Sequence, residues 1–158
     1  MKLRSAELNK KDFKAFNRLY HEIDYSNEVG RKSLEKPNLN DPMDPAYTYE
    51  EYSNILERGF PEYFMFEING KIVGSVSLEM DENEISEFII EPKFQQKGYG
   101  KKMYKLTEKL MRDREKDEIY LTCFFPGAMA FWRKMGFINN GILFIKRIKS
   151  LWCSKLSG

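Results

Sequence analysis

Histidine and cysteine are scarce in this chain of 158 residues, and their scarcity excludes several kinds of chemistry. His21 is the only histidine. Catalytic triads with a histidine base, HExxH zinc sites and multi-histidine metal centres are therefore excluded. The two cysteines, Cys123 and Cys153, are too few and too far apart in sequence to indicate a disulfide framework or a metal site. We expect both to be free thiols in a cytoplasmic protein that holds no metal.

A large net charge, long apolar runs and internal repeats are absent as well. The formal net charge is +2 and no dense Lys/Arg block occurs, which argues against a nucleic-acid partner. No apolar run is long enough for a membrane span, and the residues from Met1 to Arg4 lack the apolar core of a signal peptide, so we expect no membrane partner. The length suffices for a buried core and predicts one domain over residues 1–158.

The most informative segment runs from Glu84 to Gly100, where a predicted strand leads through a glycine-rich turn into a helix. Gly98 and Gly100 allow a tight turn in which several backbone N–H groups point into one concavity. That concavity lies at the positive end of a helix dipole, which favours phosphate and pyrophosphate. The pattern therefore predicts a ligand with a diphosphate, and an ordinary strand-to-helix turn is the alternative.

Two well-known phosphate loops do not match these residues. The dinucleotide fingerprint needs a third glycine, and Met103 occupies that position. A Walker loop needs a glycine where Gln95 stands and a serine or threonine where Lys102 stands. The diphosphate prediction therefore requires a different kind of loop.

The remaining sequence predicts an α+β order. Strands are predicted over residues 2–5, 63–68, 71–80, 84–91, 119–124 and 142–148. Helices are predicted over residues 10–23, 49–58, 100–114 and 126–135. Asn9 and Thr48 are N-cap residues for the first two helices, and Thr48 with Glu51 makes a capping box. Three prolines predict a long loop over residues 26–46.

Two motifs resemble those of one family. Gln95, Gly98 and Gly100 match the pattern Gln/Arg-x-x-Gly-x-Gly/Ala of the acyl-CoA loop of GNAT acyltransferases. The segment from Ala128 to Phe137 is similar to the family's Ala-x-x-Phe-Tyr-x-Lys-x-Gly-Phe ending. With the predicted order of elements, the chain resembles a GNAT N-acetyltransferase over nearly its whole length. The resemblance implies a single-domain α+β fold with a central mixed, mostly antiparallel sheet that is flanked by helices and splayed at an acyl-CoA cleft.

The resemblance also implies the cosubstrate, acetyl-CoA, and its site. The pantetheine arm would pair with the backbone of the strand, and backbone N–H groups of the turn would hold the pyrophosphate. Lys97, Lys101 and Lys102 are candidates for the phosphates, with a solvated helix start as the alternative. The implied cofactor-binding residues are Ile89, Ile90, Gln95, Gln96, Lys97, Gly98, Tyr99, Gly100, Lys101 and Phe131.

An amine acceptor needs a general base, because a free alkyl amine has a pKa of about 10.4 and is mostly protonated at neutral pH. Glu84, eleven residues before Gln95, is the first candidate by the family pattern. Strand alternation places Ser86 on the same face as Glu84 and Glu87 on the other face, unless a bulge intervenes. Ser86 is a further catalytic candidate and Glu87 is the reserve base. An exposed, paired carboxylate is the alternative for each acid, and the Ile90 N–H is the oxyanion donor that the resemblance implies.

The chain departs from the family at the general acid. Trp132 stands where the family often has the tyrosine that protonates the leaving thiolate, and Phe125 stands where an asparagine is common. An indole N–H donates a hydrogen bond but not a proton. A thiol with a pKa of about 8.5 can leave as the thiolate, so activity is still expected. Tyr99, Tyr104 and Tyr120 are possible substitutes.

The acceptor is expected to bind among the first two helices, the loop over residues 26–46 and the last hairpin. The aromatic residues there fit an acceptor pocket, a core contact or a homodimer contact, and they are Tyr47, Tyr49, Tyr52, Phe60 and Tyr63. Two functions remain open at this point. One is transfer of an acetyl group to a primary amine of a small molecule or protein, and the other is a catalytically silent acyl-CoA-binding module.

Overall fold

Seven strands form one mixed sheet in the computed structural model, which describes residues 1–22 and 47–149. The strands are β1 (Lys2–Ser5), β2 (Glu62–Ile68), β3 (Lys71–Glu79), β4 (Glu84–Ile90), β5 (Glu118–Thr122), β6 (Ile138–Asn140) and β7 (Leu143–Arg147). Their order across the sheet is β1-β2-β3-β4-β5-β7-β6. Every neighbouring pair is antiparallel except β4 and β5, which are parallel. The predicted class and the mixed, mostly antiparallel sheet are confirmed.

Four α-helices lie within the described residues, and their ends match the predicted signals. They are α1 (Lys10–Phe16), α2 (Tyr49–Arg58), α3 (Tyr99–Asp113) and α4 (Pro126–Lys134). The Asn9 side chain caps α1 by accepting from the Asp12 N–H. A π-helical turn, Asn17–Glu22, continues α1, and a 3-10 turn, Pro92–Phe94, follows β4. Neither irregular turn was predicted, since neither has its own sequence signal.

Helices pack on both faces of the sheet, because alternate side chains of the strands point into two separate cores. Phe64 and Phe66 of β2 join a core that includes Met103 and Met111 of α3. Met65, between them, joins a second core with α1 and α2. Each fully buried side chain of this size contributes roughly 1.5–3 kcal/mol. The two cores therefore hold the helices on opposite sides of the strands that line the site.

Buried charges fasten α1 to the edge of the sheet. The Arg4 guanidinium donates to both carboxylate oxygens of Asp12 at 2.7 Å and to Glu67 at 3.0 Å. Lys11 donates to Glu67 at 2.6 Å. These cations, Lys11 first, lower the pKa of Glu67 to about 2. Replacing Arg4 would remove the cation that pairs with the buried Asp12 carboxylate, which typically costs about 3–5 kcal/mol, whereas Glu67 would keep Lys11 and Lys2.

Some predictions fall outside the described residues, namely the loop over residues 26–46 and the free thiol of Cys153. Cys123 is a free, buried thiol. The strand β6 was missed because Ile138-Asn139-Asn140 has no strand pattern. In the described ranges, no helix is long and apolar enough to cross a membrane. Among residues 1–22 and 47–149, no three His, Cys, Asp or Glu side chains are grouped in a way that could hold a metal ion.

Candidate active site

The strands β4 and β5 separate after a single paired position. Glu84 lies opposite Tyr120, and the Tyr120 N–H donates to the Asn83 carbonyl at 2.9 Å. On its other side, β4 pairs with β3 from Glu84 to Ile90. The β5-facing edge of β4 therefore opens toward its C-terminal end. This is the splayed cleft that the family resemblance implied.

The backbone of Ile90 points into this cleft, whereas that of Ile89 points toward β3. The Glu91 N–H donates to the Val73 carbonyl at 2.9 Å, so Glu91 and Val73 make a hydrogen-bonded pair. Antiparallel pairs alternate between bonded and non-bonded positions. Ile90 and, two residues earlier, Phe88 therefore direct their N–H groups away from β3 and toward the cleft. The sequence reasoning missed Phe88, which only the register of the two strands could have revealed.

Two side chains of the glycine turn donate hydrogen bonds to backbone carbonyls and stabilise its conformation. Gln95 donates from its side-chain amide to the Ile90 carbonyl at 2.9 Å, and Lys97 donates to the Lys93 carbonyl at 2.7 Å. Gln96 and Gly98 have positive φ angles of 55° and 80°. The side chain of Gln95 therefore shapes the turn, and the residues that follow, Gln96 to Gly98, are exposed.

The N-terminus of α3 directly follows this turn. Its N-cap is Gly98, and no side chain in the described parts of the molecule caps it. The first four N–H groups of a helix have no intrahelical partner, and the first turn of α3 has no acidic residue that would oppose an anion. A Cβ at Gly100 would lie 3.4 Å from the Phe131 ring, so α4 packs closely beneath the turn. These residues fit a pyrophosphate group.

A bulge in β4 brings Glu84 and Glu87 to one face of the sheet. Ser77 pairs with Glu87 and Leu78 pairs with Ile85, so the register shifts at Ser86. Simple alternation would place Glu84 and Glu87 on opposite faces, and this expectation was therefore wrong. The bulge was the exception allowed for, and it brings the two acids to the same face. This face packs against α1 and α2, the side on which the acceptor was expected.

The two acids have different surroundings. Glu84 is half-buried, and this burial, followed by the charges of Glu79 and Glu82, raises its pKa. Glu87 accepts from the Ser77 hydroxyl at 3.4 Å. Burial and the Glu87 charge raise the pKa of nearby Tyr63 to about 12. A carboxyl with a raised pKa is a better proton acceptor, which favours Glu84 as the base.

Ser86 is exposed, and its hydroxyl donates to Glu79 at 2.8 Å. It therefore neighbours the acids and contributes to the polar surface around Glu84.

A model of the Acetyltransferase (GNAT) family matches residues 21–137 of this chain. The chain belongs to the GNAT family. The matched range includes both the glycine turn after β4 and the segment from Ala128 to Phe137. The resemblance that these motifs indicated is confirmed.

Solved GNAT structures share the fold over 94% of this chain. The PaiA N-acetyltransferase of Thermoplasma acidophilum, in complex with coenzyme A, has 18% identity, a TM-score of 0.68 and 98% of its own chain covered. The ribosomal-protein-alanine N-acetyltransferase of Brucella melitensis has 16% identity, a TM-score of 0.65 and 100% of its own chain covered. An acetyltransferase of Thermus thermophilus has 18% identity, a TM-score of 0.66 and 98% of its own chain covered. At these identities the likeness shows the GNAT fold.

The position of the missing GNAT tyrosine is filled by a core residue. Trp132 is 6% exposed and packs edge-on against Phe88, with ring centroids 5.0 Å apart. It also contacts Tyr104, which is 2% exposed and whose pKa is raised by burial. Neither side chain is placed to protonate a thiolate in the open cleft.

The other two tyrosines considered as substitutes are engaged elsewhere. Tyr120 donates its hydroxyl to Glu118. Tyr99 packs on the Phe94 ring with centroids 5.9 Å apart, next to the turn. The structure therefore brings together the turn, the open edge of β4 and two carboxylates.

Proposed function

We propose that this GNAT protein is an N-acetyltransferase that moves the acetyl group of acetyl-CoA to a primary amine by direct attack in a ternary complex. The observation that carries the proposal is the uncapped start of α3 beside the open edge of β4. Family membership and the coenzyme A bound to the T. acidophilum relative support an acyl-CoA donor. One sheet runs through both described ranges, which supports a single domain over residues 1–158.

In this proposal, backbone groups of the turn hold the pyrophosphate. The N–H groups of Gln96 to Lys101 surround it, and the Lys97 and Lys101 ammonium groups offer positive charge at its rim. The outward N–H of Ile90 pairs with the pantetheine arm like a neighbouring strand. Phe131 supports the turn from beneath through its contact with Gly100.

The pantetheine arm extends from the turn back toward Glu84, so the thioester carbonyl lies nearer to the N-terminal end of β4 than Ile90 does. We therefore place oxyanion donation at the Phe88 N–H, which points the same way as that of Ile90. This revises the role expected for Ile90, which now holds the arm.

The amine is activated by Glu84 through a bound water, with Glu87 as the alternative base on the same face. The nitrogen attacks the thioester carbon, the C–S bond breaks, and the nitrogen's proton passes to Glu84. Coenzyme A leaves as the thiolate and takes its proton from solvent, since a thiol pKa of about 8.5 makes this tolerable without a tyrosine acid.

The alternative is a silent acyl-CoA-binding module, and one observation favours it. Trp132 is buried where many relatives place their acid, so this position supplies no proton donor for the thiolate. Such a protein would bind acetyl-CoA without consuming it.

Calorimetry and turnover with a panel of amines distinguish these functions. We expect coenzyme A to bind and acetyl-CoA to be consumed with at least one amine. Glu84→Gln should lower kcat about 100-fold or more while coenzyme A affinity stays unchanged. Glu57→Gln on the exposed side of α2 is the matched control and should retain full activity. Binding without turnover would support the silent module, and no heat at millimolar coenzyme A would overturn both proposals.

The pH profile of kcat/KM gives a second test of the base. Because Glu84 must be ionised to accept a proton and its pKa is raised, activity should fall with decreasing pH through a value above 4.5. This acid limb should disappear in Glu84→Gln and persist in Glu87→Gln. Loss of the acid limb only in Glu87→Gln would indicate that Glu87 is the general base.

A further inference from the structure

Glu91 is the residue at which β4 becomes the turn, and its side chain is buried. The residue is 7% exposed. Its N–H donates to the Val73 carbonyl at 2.9 Å and its carbonyl accepts from the Phe94 N–H at 2.8 Å. The backbone of Glu91 therefore fixes both the last pairing with β3 and the first bond of the 3-10 turn. Any movement of Glu91 would displace the adjacent Ile90 N–H.

Two cations face the Glu91 carboxylate from different elements. Lys93 of the 3-10 turn pairs with one oxygen, Oε1. Arg18 Nη2 lies 3.6 Å from the other oxygen, Oε2, and the same nitrogen donates to the Ile72 carbonyl of β3 at 2.8 Å. The guanidinium therefore connects β3 with the residue that begins the turn.

Arg18 comes from the π-helical turn that continues α1. Leu19 and Tyr20, the next two residues of that turn, are both buried, so the turn is anchored on the sheet. Tyr20 shares a hydrogen bond of 2.9 Å with Ser75, on the same face as Glu84 and Glu87. The arginine therefore joins the acceptor side of the sheet to the turn.

We infer that Arg18 is a positioning residue of the acyl-CoA site, which acts through Glu91 to hold the start of the turn and the outward Ile90 N–H in place. This inference rests on the proposed function, because it concerns affinity for coenzyme A. Within residues 1–22 and 47–149, Arg18 Nε and Glu91 Oε2 have no hydrogen-bond partner. The ion pair is thus the polar contact between the two side chains, and Arg18→Met would remove it from the end of β4.

The chain offers a matched control for this ion pair. Lys11 of α1 pairs with the buried Glu67 of β2 at 2.6 Å, just as Arg18 pairs with the buried Glu91. Both variants, Arg18→Met and Lys11→Met, remove one of several cations around a buried carboxylate. Glu67 is on β2 and is not part of the turn.

Calorimetric titration of coenzyme A into the full chain, with melting temperatures measured in parallel, tests the inference. We expect Arg18→Met to weaken coenzyme A about tenfold and Lys11→Met to leave its affinity within twofold, although both lower the melting temperature. Arg18→Lys should recover part of the affinity. If Arg18 acts through Glu91, the double variant Arg18→Met, Glu91→Gln should bind no more weakly than the weaker of its two single variants.

Besides a double variant that binds more weakly than both single variants, three outcomes would overturn the inference. One is Arg18→Met binding within twofold of the unchanged protein, and another is an equal loss of affinity in Lys11→Met. If Arg18→Met does not fold, Arg18→Lys and Glu91→Gln are compared instead, and unchanged affinity in both would count against it. Failure of the unchanged protein to bind coenzyme A is the separate result that removes the proposed function as well.

Discussion

The N-termini of α2 and α3 differ in whether a side chain accepts hydrogen bonds from their first backbone N–H groups. At α2, the Thr48 hydroxyl accepts from the Glu51 N–H at 3.1 Å, and the Glu51 carboxylate accepts from the Thr48 N–H at 2.6 Å. At α3, the N-cap is Gly98, and within the described chain no side chain caps it. The first end is satisfied by the protein itself, and the second is left open.

The difference separates a structural helix start from one suited to a ligand. Glu50 and Glu51 place negative charge in the first turn of α2, where it complements the helix dipole. The first turn of α3 contains Lys101 and Lys102 instead, so an anion from outside the protein would meet a positive field. Changes at the start of α2 should therefore alter stability without altering coenzyme A binding, whereas changes at the start of α3 should alter coenzyme A binding.

The largest expected effect comes from a valine at Gly98. Its φ of +80° disfavours a side chain, and the left-handed region costs about 1–2 kcal/mol or more for a β-branched residue. The turn would relax away from its binding conformation, and we expect coenzyme A affinity to fall about 30-fold by calorimetry.

Gly59, at the C-terminal end of α2, is the matched control because its φ of +63° is also left-handed. In the described chain, a Cβ at either Gly59 or Gly98 would have nothing within 4 Å. Gly59→Val should lower the melting temperature without changing coenzyme A affinity. Equal losses of affinity in both variants would contradict the comparison.

The next largest effect is expected from two opposite charge reversals, one at the start of α3 and one at the start of α2. Lys101→Glu puts a negative charge at the start of α3, where it would repel a diphosphate, and we expect about tenfold weaker coenzyme A. The same change should stabilise the helix by about 0.3–1 kcal/mol. Glu50→Lys at α2 should destabilise by a similar amount and leave affinity unchanged, and denaturant titration measures both. Unchanged affinity in Lys101→Glu would place the diphosphate elsewhere.

A smaller effect is expected from Thr48→Ala, which removes the cap of α2. The loss should be about 1 kcal/mol in the free energy of unfolding, which is typical for an N-cap threonine. Coenzyme A affinity should stay within twofold, because α2 lies on the other face of the sheet from α3. A clear loss of affinity would show that the two helix starts are coupled.

The smallest effect is the pH dependence of the α2 cap. Hydrogen bonds from the Thr48 N–H and hydroxyl lower the pKa of Glu51 below its ordinary 4.5. The stability that this carboxylate contributes is therefore present above pH 4.5 and is lost as the pH falls through the lowered value. Glu51→Gln should remove this part of the acid dependence in melting experiments, and an unchanged dependence would argue against the cap.

Local patterns predicted most of the elements, because they depend on neighbours in sequence. The capping box of Thr48 and Glu51 and the hairpin at Asn69 are found where the residues indicated. The glycine turn is also where the motif placed it. Predictions that depended on pairing between strands were less successful, as the bulge at Ser86 and the short strand β6 illustrate.

Contacts between distant parts of the chain could not be read from the sequence. Glu91 is the last residue of a predicted strand and resembles any exposed acid, yet the fold buries it beside Arg18 of the π-helical turn that continues α1. Trp132 departs from the family motif in the sequence, but only the structure places it in the core against Phe88.

The sequence alone determined most of the succession of helices and strands and the glycine turn, because caps, turns and periodicity act over a few residues. Tertiary structure decided which backbone groups of β4 face the cleft and which face β3. It also decided that Glu84 and Glu87 share a face, since strand register and a bulge depend on the neighbouring strand. These features require the whole sheet, because each hydrogen bond between strands joins residues that are remote in the chain.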